Sequence, residues 1–357
     1  MSDYKIIDLF SGAGGFSLGF ENAGFESILA IDKWNDAIET YNFNRNKKVG
    51  TTRDIFDFTN EEIFNLNSKG EVVGIIGGPP CQGFSMVGTR DEKDERNTLY
   101  LQFVRFVEII KPKFFILENV KGLLTMSKGF FKKDIVERFS KLGYNVNYKI
   151  LKASNYGVPQ SRDRVFFIGL LSASFADKFF DFDKIIKMKE VSTKDALSDL
   201  PDLDNNEDHT TYARKPENQF QKEMRKNSKK IFNNVVTNHT KQTIDIIKQV
   251  PDGGNIMCLD PKYYSVRNYK SAFKRMNSSL PSSTIDCGHR NYFHYSQNRV
   301  PTARESARLQ SFPDRYIFTG NKSSQYTQVG NAVPPRLAQG IAKAMISIVS
   351  GENNESI

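Results

Sequence analysis

The sequence predicts an α/β protein: a mostly parallel β-sheet covered by helices on both faces, joined to a second, smaller domain. Apolar, strand-like runs alternate with helix-like stretches over about the first 170 residues, the pattern of repeated strand–helix units. The first of those runs passes directly into a glycine-rich turn. After about residue 172 the chain becomes rich in Lys, Asn and Asp and loses its clean apolar periods.

Residues 4–10 (YKIIDLF) read as the first strand, and residues 17–24 as a helix beyond the turn. Phe25–Asp32 (FESILAID) is the second strand. Glu71–Gly77 (EVVGIIG) and Lys113–Leu117 (KFFIL) follow, separated by a helix over Thr98–Ile110 with apolar positions at helical spacing. Val165–Leu171 (VFFIGLL) is the last strong strand of this region. Asp202–Tyr212 reads as exposed loop and Gln249–Asn255 (QVPDGGN) as a turn. Basic and aromatic residues interleave over Tyr263–Arg299. Pro334–Val349 reads as an amphipathic helix, and Ser350–Ile357 as a frayed tail.

At 357 residues the chain is long for one core. Its 25% charged and 39% hydrophobic content is that of an ordinary soluble protein. No apolar run approaches the ~20 residues that a bilayer span needs, so no membrane association is expected, and the N-terminus carries no signal-peptide pattern. Three cysteines, an odd number, argue against a disulfide framework. They fit a reducing, cytoplasmic setting in which a thiol stays available as a nucleophile. Lys and Arg total 50 against 41 acidic residues, a net +9. That excess suits a nucleic-acid partner without establishing one. His209, His239, His289 and His294 lack metal-ligand spacing, so no metal is expected.

Four segments carry chemistry. Asp8–Gly15 (DLFSGAGG) follows a strand and opens a helix. Glycines there admit a close ligand, and helix-end N–H groups suit an anion. Asp32 ends the next strand, at the spacing where an acid grips ribose hydroxyls in dinucleotide folds. The segment serves a nicotinamide, a flavin or S-adenosylmethionine equally well, and a tight capping turn also explains it. Gly77–Ser85 (GGPPCQGFS) lies beyond a buried strand, at the carboxyl edge of the sheet. Its prolines stiffen the approach to Cys81 and expose the thiol, whereas Cys258 and Cys287 have no such frame. Glu118, at the end of an apolar strand, is a candidate proton donor, or else a helix cap or ion-pair acid. Arg162 and Arg164 in QSRDR alternate along a strand, which sends both to one face. There two guanidiniums can hold a carbonyl or phosphate, or simply lie in solvent.

Taken in order, these segments resemble the DNA (cytosine-5) methyltransferase family of the bacterial restriction-modification type. The series is DLFSGAGGF at Asp8–Phe16, GGPPCQGFS at Gly77–Ser85, ENV at Glu118–Val120 and QSRDRVFFIG at Gln160–Gly169. It continues with RVPTARESARLQSFPD at Arg299–Asp314 and QVGNAVPPRLA at Gln328–Ala338. Only about 175–280 lies outside the match, where the family keeps its variable target-recognition region. The resemblance implies a Rossmann-like S-adenosylmethionine-dependent methyltransferase sheet with a smaller target-recognition domain. Residues 1–175 plus 325–357 would form the catalytic domain, and 176–324 the recognition domain and hinge.

The family's mechanism implies that Cys81 adds to carbon 6 of a flipped cytosine. Glu118 would engage ring nitrogen 3, and Arg164 with Arg162 the cytosine carbonyl and nearby backbone. The methyl group moves to carbon 5, and S-adenosylhomocysteine is the product. Cofactor contacts carry over to Phe10, Gly12, Gly14, Asp32, Lys33, Asp54, Ile55, Pro80, Leu99, Asn331 and Val333. The family's acidic-plus-Trp pair is here Asp32-Lys33-Trp34, with the Trp one place later. DNA contacts are expected from Gln82 and Ser85 in a closing loop, and from Arg267, Thr284 and Arg290 in the recognition region. The partners implied are double-stranded DNA and a cognate restriction endonuclease, and the enzyme is expected to be a monomer. A tRNA-directed branch of the family and a catalytically inactive DNA-binding homologue are the alternatives. An oxidoreductase would explain the glycine turn but not GGPPCQ.

Overall fold

The computed structural model describes residues 4–80, 99–202, 210–266, 273–287 and 292–351. Cys81, Gln82, Ser85, Arg267 and Arg290 lie outside them. The chain divides into two compact units. The first comprises 1–152, 163–186 and 337–357, and the second 153–162 and 187–336.

The first unit is built on a seven-stranded sheet. Its strands are β1 (Lys5–Leu9), β2 (Glu26–Asp32), β3 (Gly50–Thr52), β4 (Val72–Gly77), β5 (Phe114–Val120), β6 (Tyr144–Lys152) and β8 (Asp163–Leu171); β7 (Gln160–Ser161) belongs to the second unit. The order across the sheet is β3-β2-β1-β4-β5-β8-β6. Pairings from β3 through β5 are parallel, while β8 runs antiparallel to both neighbours. The central strands are buried nearly throughout, which explains their continuous apolar runs. Two cross-strand pairs fix the register by shape. Gly74 faces Phe114 and Gly169 faces Phe115, and a Cβ at either glycine would enter the opposite ring, at 2.1 and 2.0 Å.

Helices α1 (Gly15–Glu21), α2 (Asn35–Phe43), α3 (Asn60–Phe64), α4 (Leu99–Ile110) and α5 (Phe130–Lys141) link these strands. Phe103, Phe106 and Val107 of α4 join Phe115, Phe139, Val165 and Phe167 in the main core. The helix after the turn begins at Gly15, two residues before the sequence signal, because Gly14 caps it. β5 runs three residues beyond Leu117, so Glu118 sits inside the strand rather than at its end. The sequence reading named neither β3 nor β6.

Because β1, β2, β4 and β5 are parallel, their C-terminal ends share one edge of the sheet. β8 runs the other way, which brings its first residues, Asp163 and Arg164, to that same edge. That edge therefore gathers the glycine turn, Asp32, the segment leading to Pro80, Glu118 and Arg164.

The second unit carries little regular sheet: β7 pairs with β10 (Ser282–Ser283), and β9 (Lys274–Arg275) with β11 (Tyr292–Phe293). Its helices are short: α7 (Thr193–Leu197), α8 (Gln219–Met224), α9 (Lys241–Gln249), α10 (Ala303–Leu309) and α11 (Lys322–Asn331), while α6 (Ser172–Phe175) lies in the first unit. One apolar cluster joins Ile246, Ile247, Val250, Phe273 and Phe293. Every residue of α10 is buried, charges included. Arg308 ion-pairs with Asp199 and Asp314, all three with fully buried side chains, and Arg299 pairs with Glu305 at 2.7 Å. The last helix, α12 (Pro335–Val349), begins in the second unit and runs mostly in the first. No helix among the described residues is long and apolar enough to cross a membrane.

Candidate active site

The glycine turn curls through left-handed backbone at Phe10 (φ 58°), Gly12 (φ 52°) and Gly14 (φ 80°). A non-glycine residue such as Phe10 adopts this region at a cost of about 1–3 kcal/mol, a strain that collects at functional sites. The curl is held from below by Ser11 N–H donating to the Ile31 carbonyl and Gly14 N–H to the Ser11 carbonyl, at 3.0 and 2.9 Å. Asp32 reaches across from β2 and accepts hydrogen bonds from Gly12 N–H and Trp34 N–H, both at 2.9 Å. Burial raises its pKa above the usual carboxylate value despite those donors.

Two features of the turn suit a ligand. Ser11 is 7% exposed, and its Oγ has no hydrogen-bond partner among the described residues. Among the described residues, a Cβ built on Gly12 would meet nothing within 4 Å. A buried hydroxyl with no partner costs free energy unless something binds it. Lys33 beside Asp32 is exposed, and Trp34 is half-buried. At the tip of β3, Asp54 Oδ1 accepts Phe56 N–H at 3.1 Å. Ile55 is buried in the main core, so its backbone rather than its side chain is what a ligand would meet.

The second cluster joins β4, β5 and β8. Glu118 and Arg164 form an ion pair at 3.0 Å, with side chains 11% and 15% exposed. Arg164 Nη1 also donates to the Asp163 carbonyl. Gly78 packs against the acid: a Cβ there would lie 2.8 Å from Glu118 Oε2. Asn119, also buried, donates from Nδ2 to the Pro79 carbonyl at 2.9 Å. Glu118 and Asn119 are thus both tied to the segment that leads into Cys81. Pro80 is exposed, and Leu99 opens α4 against the main core.

Arg162 is placed differently from its neighbour. It is 2% exposed and donates to the carbonyls of Gly330, at 2.9 Å, and Ile285, at 3.4 Å, within the second unit. Gln160 donates to Gln310 Oε1 and accepts Ile285 N–H, and the Thr284 hydroxyl donates to the Ser161 carbonyl. QSR therefore clasps the backbone around Thr284–Ile285 and Gly330. Asn331 follows directly; it is exposed, and its Oδ1 accepts from the Cys287 thiol at 2.7 Å, while Val333 is buried. The sequence reading missed Ser11, Gly78, Asn119 and Gln160 as site residues. All four sit within the motifs, but the contacts of Asn119 and Gln160 are made with residues far along the chain.

Among the described residues no cluster of metal-ligating side chains occurs. His239 and His294 are spent on backbone: His239 Nε2 accepts Val300 N–H and His294 Nδ1 accepts Ser296 and Gln297 N–H.

Solved structures share this architecture. A candidate DNA modification methyltransferase encoded within an Escherichia coli prophage superposes with a TM-score of 0.82 at 28% identity, covering 97% of this chain and 99% of the other. Dnmt2 methyltransferase of Schizosaccharomyces pombe shares the fold at 15% identity, TM-score 0.63, with 98% and 99% covered. The sheet is that of the S-adenosylmethionine-dependent methyltransferases, Rossmann-like with one reversed strand.

The model of C-5 cytosine-specific DNA methylases matches residues 4–347, nearly the whole chain. Type II methyltransferase M.DdeI of Desulfomicrobium norvegicum is 42% identical, over 95% of this chain and 88% of the relative. M1.HphI of Haemophilus parahaemolyticus is 36% identical, over 97% and 87%. The chain belongs to the C-5 cytosine-specific DNA methylase family and is a DNA (cytosine-5)-methyltransferase.

Proposed function

We propose that this enzyme methylates carbon 5 of a cytosine flipped out of a specific duplex DNA sequence, by covalent catalysis through Cys81. It is the modification partner of a restriction endonuclease, acting as a cytoplasmic monomer. The observation that carries the reading is the Glu118–Arg164 pair, clamped against Gly78 three residues before Cys81.

Carbon 6 of cytosine is a poor electrophile. The Glu118 carboxyl, carrying a proton, donates it toward ring nitrogen 3 and so draws electron density from the ring, while Arg164 orients that carboxyl and meets the ring carbonyl. The Cys81 thiolate then forms a bond to carbon 6, and the displaced electron pair makes carbon 5 nucleophilic. After transfer, loss of the carbon 5 proton to a base drives elimination of the Cys81 sulfur, and the ring double bond returns. A stacked base lies out of reach of this edge, so the nucleotide must leave the helix. Arg162 acts through the backbones it holds, next to Thr284 and Asn331.

S-adenosylmethionine, the family's donor, supplies the electrophilic methyl group and departs as S-adenosylhomocysteine. The turn fits it: the Ser11 hydroxyl, without a partner among the described residues, and the face at Gly12 that none of them fills suit the amino-acid end, with Phe10 and Gly14 beside it. Asp32 takes ribose hydroxyls, with Lys33 alongside. Asp54 and the Ile55 backbone flank the base. Pro80, Leu99, Asn331 and Val333 complete the contacts, and no metal takes part. The second unit reads the DNA, with Thr284, Arg267 and Arg290 near the duplex and Gln82 and Ser85 closing over it.

Duplex DNA carrying 5-fluorocytosine tests the reading, because fluorine at carbon 5 blocks proton loss and traps the covalent adduct. The wild type should form a donor-dependent adduct resistant to denaturant, and Cys81→Ser should form none. Adduct from the Ser variant, or methylation of tRNA but not of DNA, would overturn it. Bisulfite sequencing of host DNA then reads the target sequence.

A further inference from the structure

Beneath the glycine turn lies a set of buried polar groups for which the chemistry above has no use. Arg45, just beyond the end of α2, lays its guanidinium over the Tyr41 ring, 3.6 Å from the centroid. All three of its nitrogens donate. Nε donates to both oxygens of Glu21 on α1, at 2.9 and 3.1 Å, Nη1 to the Tyr41 carbonyl at 3.0 Å, and Nη2 to the Gly14 carbonyl at 3.2 Å. Tyr41 is fully buried, and its hydroxyl donates to Ser17 Oγ at 3.0 Å. Ser17 in turn donates to Asp8, next to last in β1. One connected set of side chains thus joins the strand before the turn, the turn itself and the helices on either side.

We infer that Arg45, seated on Tyr41, is a positioning residue for donor binding: it holds the glycine turn in the curl that receives the charged amino-acid end of S-adenosylmethionine. The inference rests on the cofactor reading above. The turn is asymmetric. At Gly14 a Cβ would lie 2.5 Å from a Tyr41 ring carbon and 2.9 Å from Arg45 Nη1, whereas at Gly12 it would meet none of the described residues within 4 Å. The stack therefore fills the inner side of the curl and leaves the outer side for the ligand. Gly14 sits in left-handed backbone at the start of α1, and its carbonyl accepts both Leu18 N–H and the guanidinium. Without that second donor and the ring beneath it, the turn keeps the Ser11 and Gly14 backbone bonds but loses the packing that fills its inner side. A lysine cannot replace this arrangement, because a point charge does not reach Glu21 and two carbonyls at once.

The test is titration of the full-length enzyme with S-adenosylhomocysteine, paired with steady-state kinetics. Arg45→Met should raise the Kd about tenfold, as expected when binding groups are misplaced. It should also raise KM for the donor, while kcat at saturating donor and KM for DNA stay within about twofold. Arg45→Lys should recover only part of the affinity. Tyr41→Phe, which keeps the ring but loses the bond to Ser17, should weaken binding by about threefold. Wild-type affinity in Arg45→Met, or a parallel rise in both KM values, would overturn the inference. Asp32→Ala separates the two readings. If it and Arg45→Met both leave the Kd unchanged, the cofactor reading fails. If Asp32→Ala alone weakens binding, only the role of Arg45 falls. Should Arg45→Met fail to fold, Arg45→Lys and Tyr41→Phe make the same comparison.

Discussion

Glu118 and Arg164 meet diagonally across an antiparallel strand pair: Glu118 stands opposite Phe166, and Arg164 opposite Val120, two residues along the same face. That offset brings the carboxylate and guanidinium to 3.0 Å at the edge of the sheet. Only a reversed strand makes it possible, because in a parallel β8 the early residues would lie at the far edge.

Glu118→Gln keeps the shape of the side chain and removes its acid. Methyl incorporation at saturating DNA and donor should show kcat lowered by about 10²–10⁴-fold, the range for a lost acid–base group. S-adenosylhomocysteine affinity should remain near wild type. A kcat within threefold of wild type would remove Glu118 from the chemistry.

Gly78→Ala separates catalysis from stability. The added methyl would press on Glu118 Oε2, the flexible end of a side chain, rather than on backbone. The melting temperature should change little, while kcat falls by about tenfold as the carboxyl is displaced. Equal losses in both would mean that the strand end, not the acid, had moved.

Arg308 is fully buried between Asp199 and Asp314. Arg308→Met takes the ion-pair partner from Asp314 and leaves Asp199 with Arg225 alone, at 3.2 Å, which should cost about 3–5 kcal/mol in urea unfolding. A loss under about 1 kcal/mol would indicate that both acids take up protons or other partners at little cost.

Two buried groups should tilt stability with pH in opposite senses. Burial raises Asp8 to about 7, so between its unfolded value near 4 and pH 7 the native state binds the extra proton. Its contribution is present in acid and is lost as pH rises through 7. Burial lowers His294 to about 4, so it binds its proton less readily when folded, and stability drops as pH falls from about 6.5 toward 4. In melting curves from pH 5 to 8, Asp8→Asn should gain on wild type toward pH 8, and His294→Gln toward pH 5. The opposite trends would contradict these assignments.

Much of the fold was legible because central strands of a parallel sheet are continuous apolar runs. KIIDL and VVGIIG could be little else. β6 was not legible, since YNVNYKILK lies at the edge of the sheet with Tyr148, Lys149 and Ile150 exposed, so it lacks both the run and a strict alternation. β3 is only three residues long. Of the site, the turn, Asp32, Glu118 and Arg164 stood out because each adjoins an apolar run that reads as strand. Asn119 and Gln160 did not: their partners, Pro79 and Gln310, are 40 and 150 residues away. α10 misleads in the other direction. ARESARL has the composition of a solvated helix, yet Arg304, Glu305 and Arg308 are all buried in ion pairs and carbonyl contacts that only the folded chain supplies. Arg162 and Arg164, read as a pair by their spacing, are bonded to different groups because the strand begins only at Asp163.

The first unit is discontinuous, and that has a consequence during synthesis. Residues 187–336, 150 in all, separate its sheet from the helix that closes it. At roughly 5–20 residues per second a ribosome needs about 8–30 s to make that stretch. For that interval the surface around Asn22 and Gly24, which Gln339 and Ile346 later cover, stays bare on the nascent chain. Leu337, Ile341 and Met345, all fully buried in the finished enzyme, leave the exit tunnel only after that stretch, so a chaperone has a defined window and a defined patch to guard.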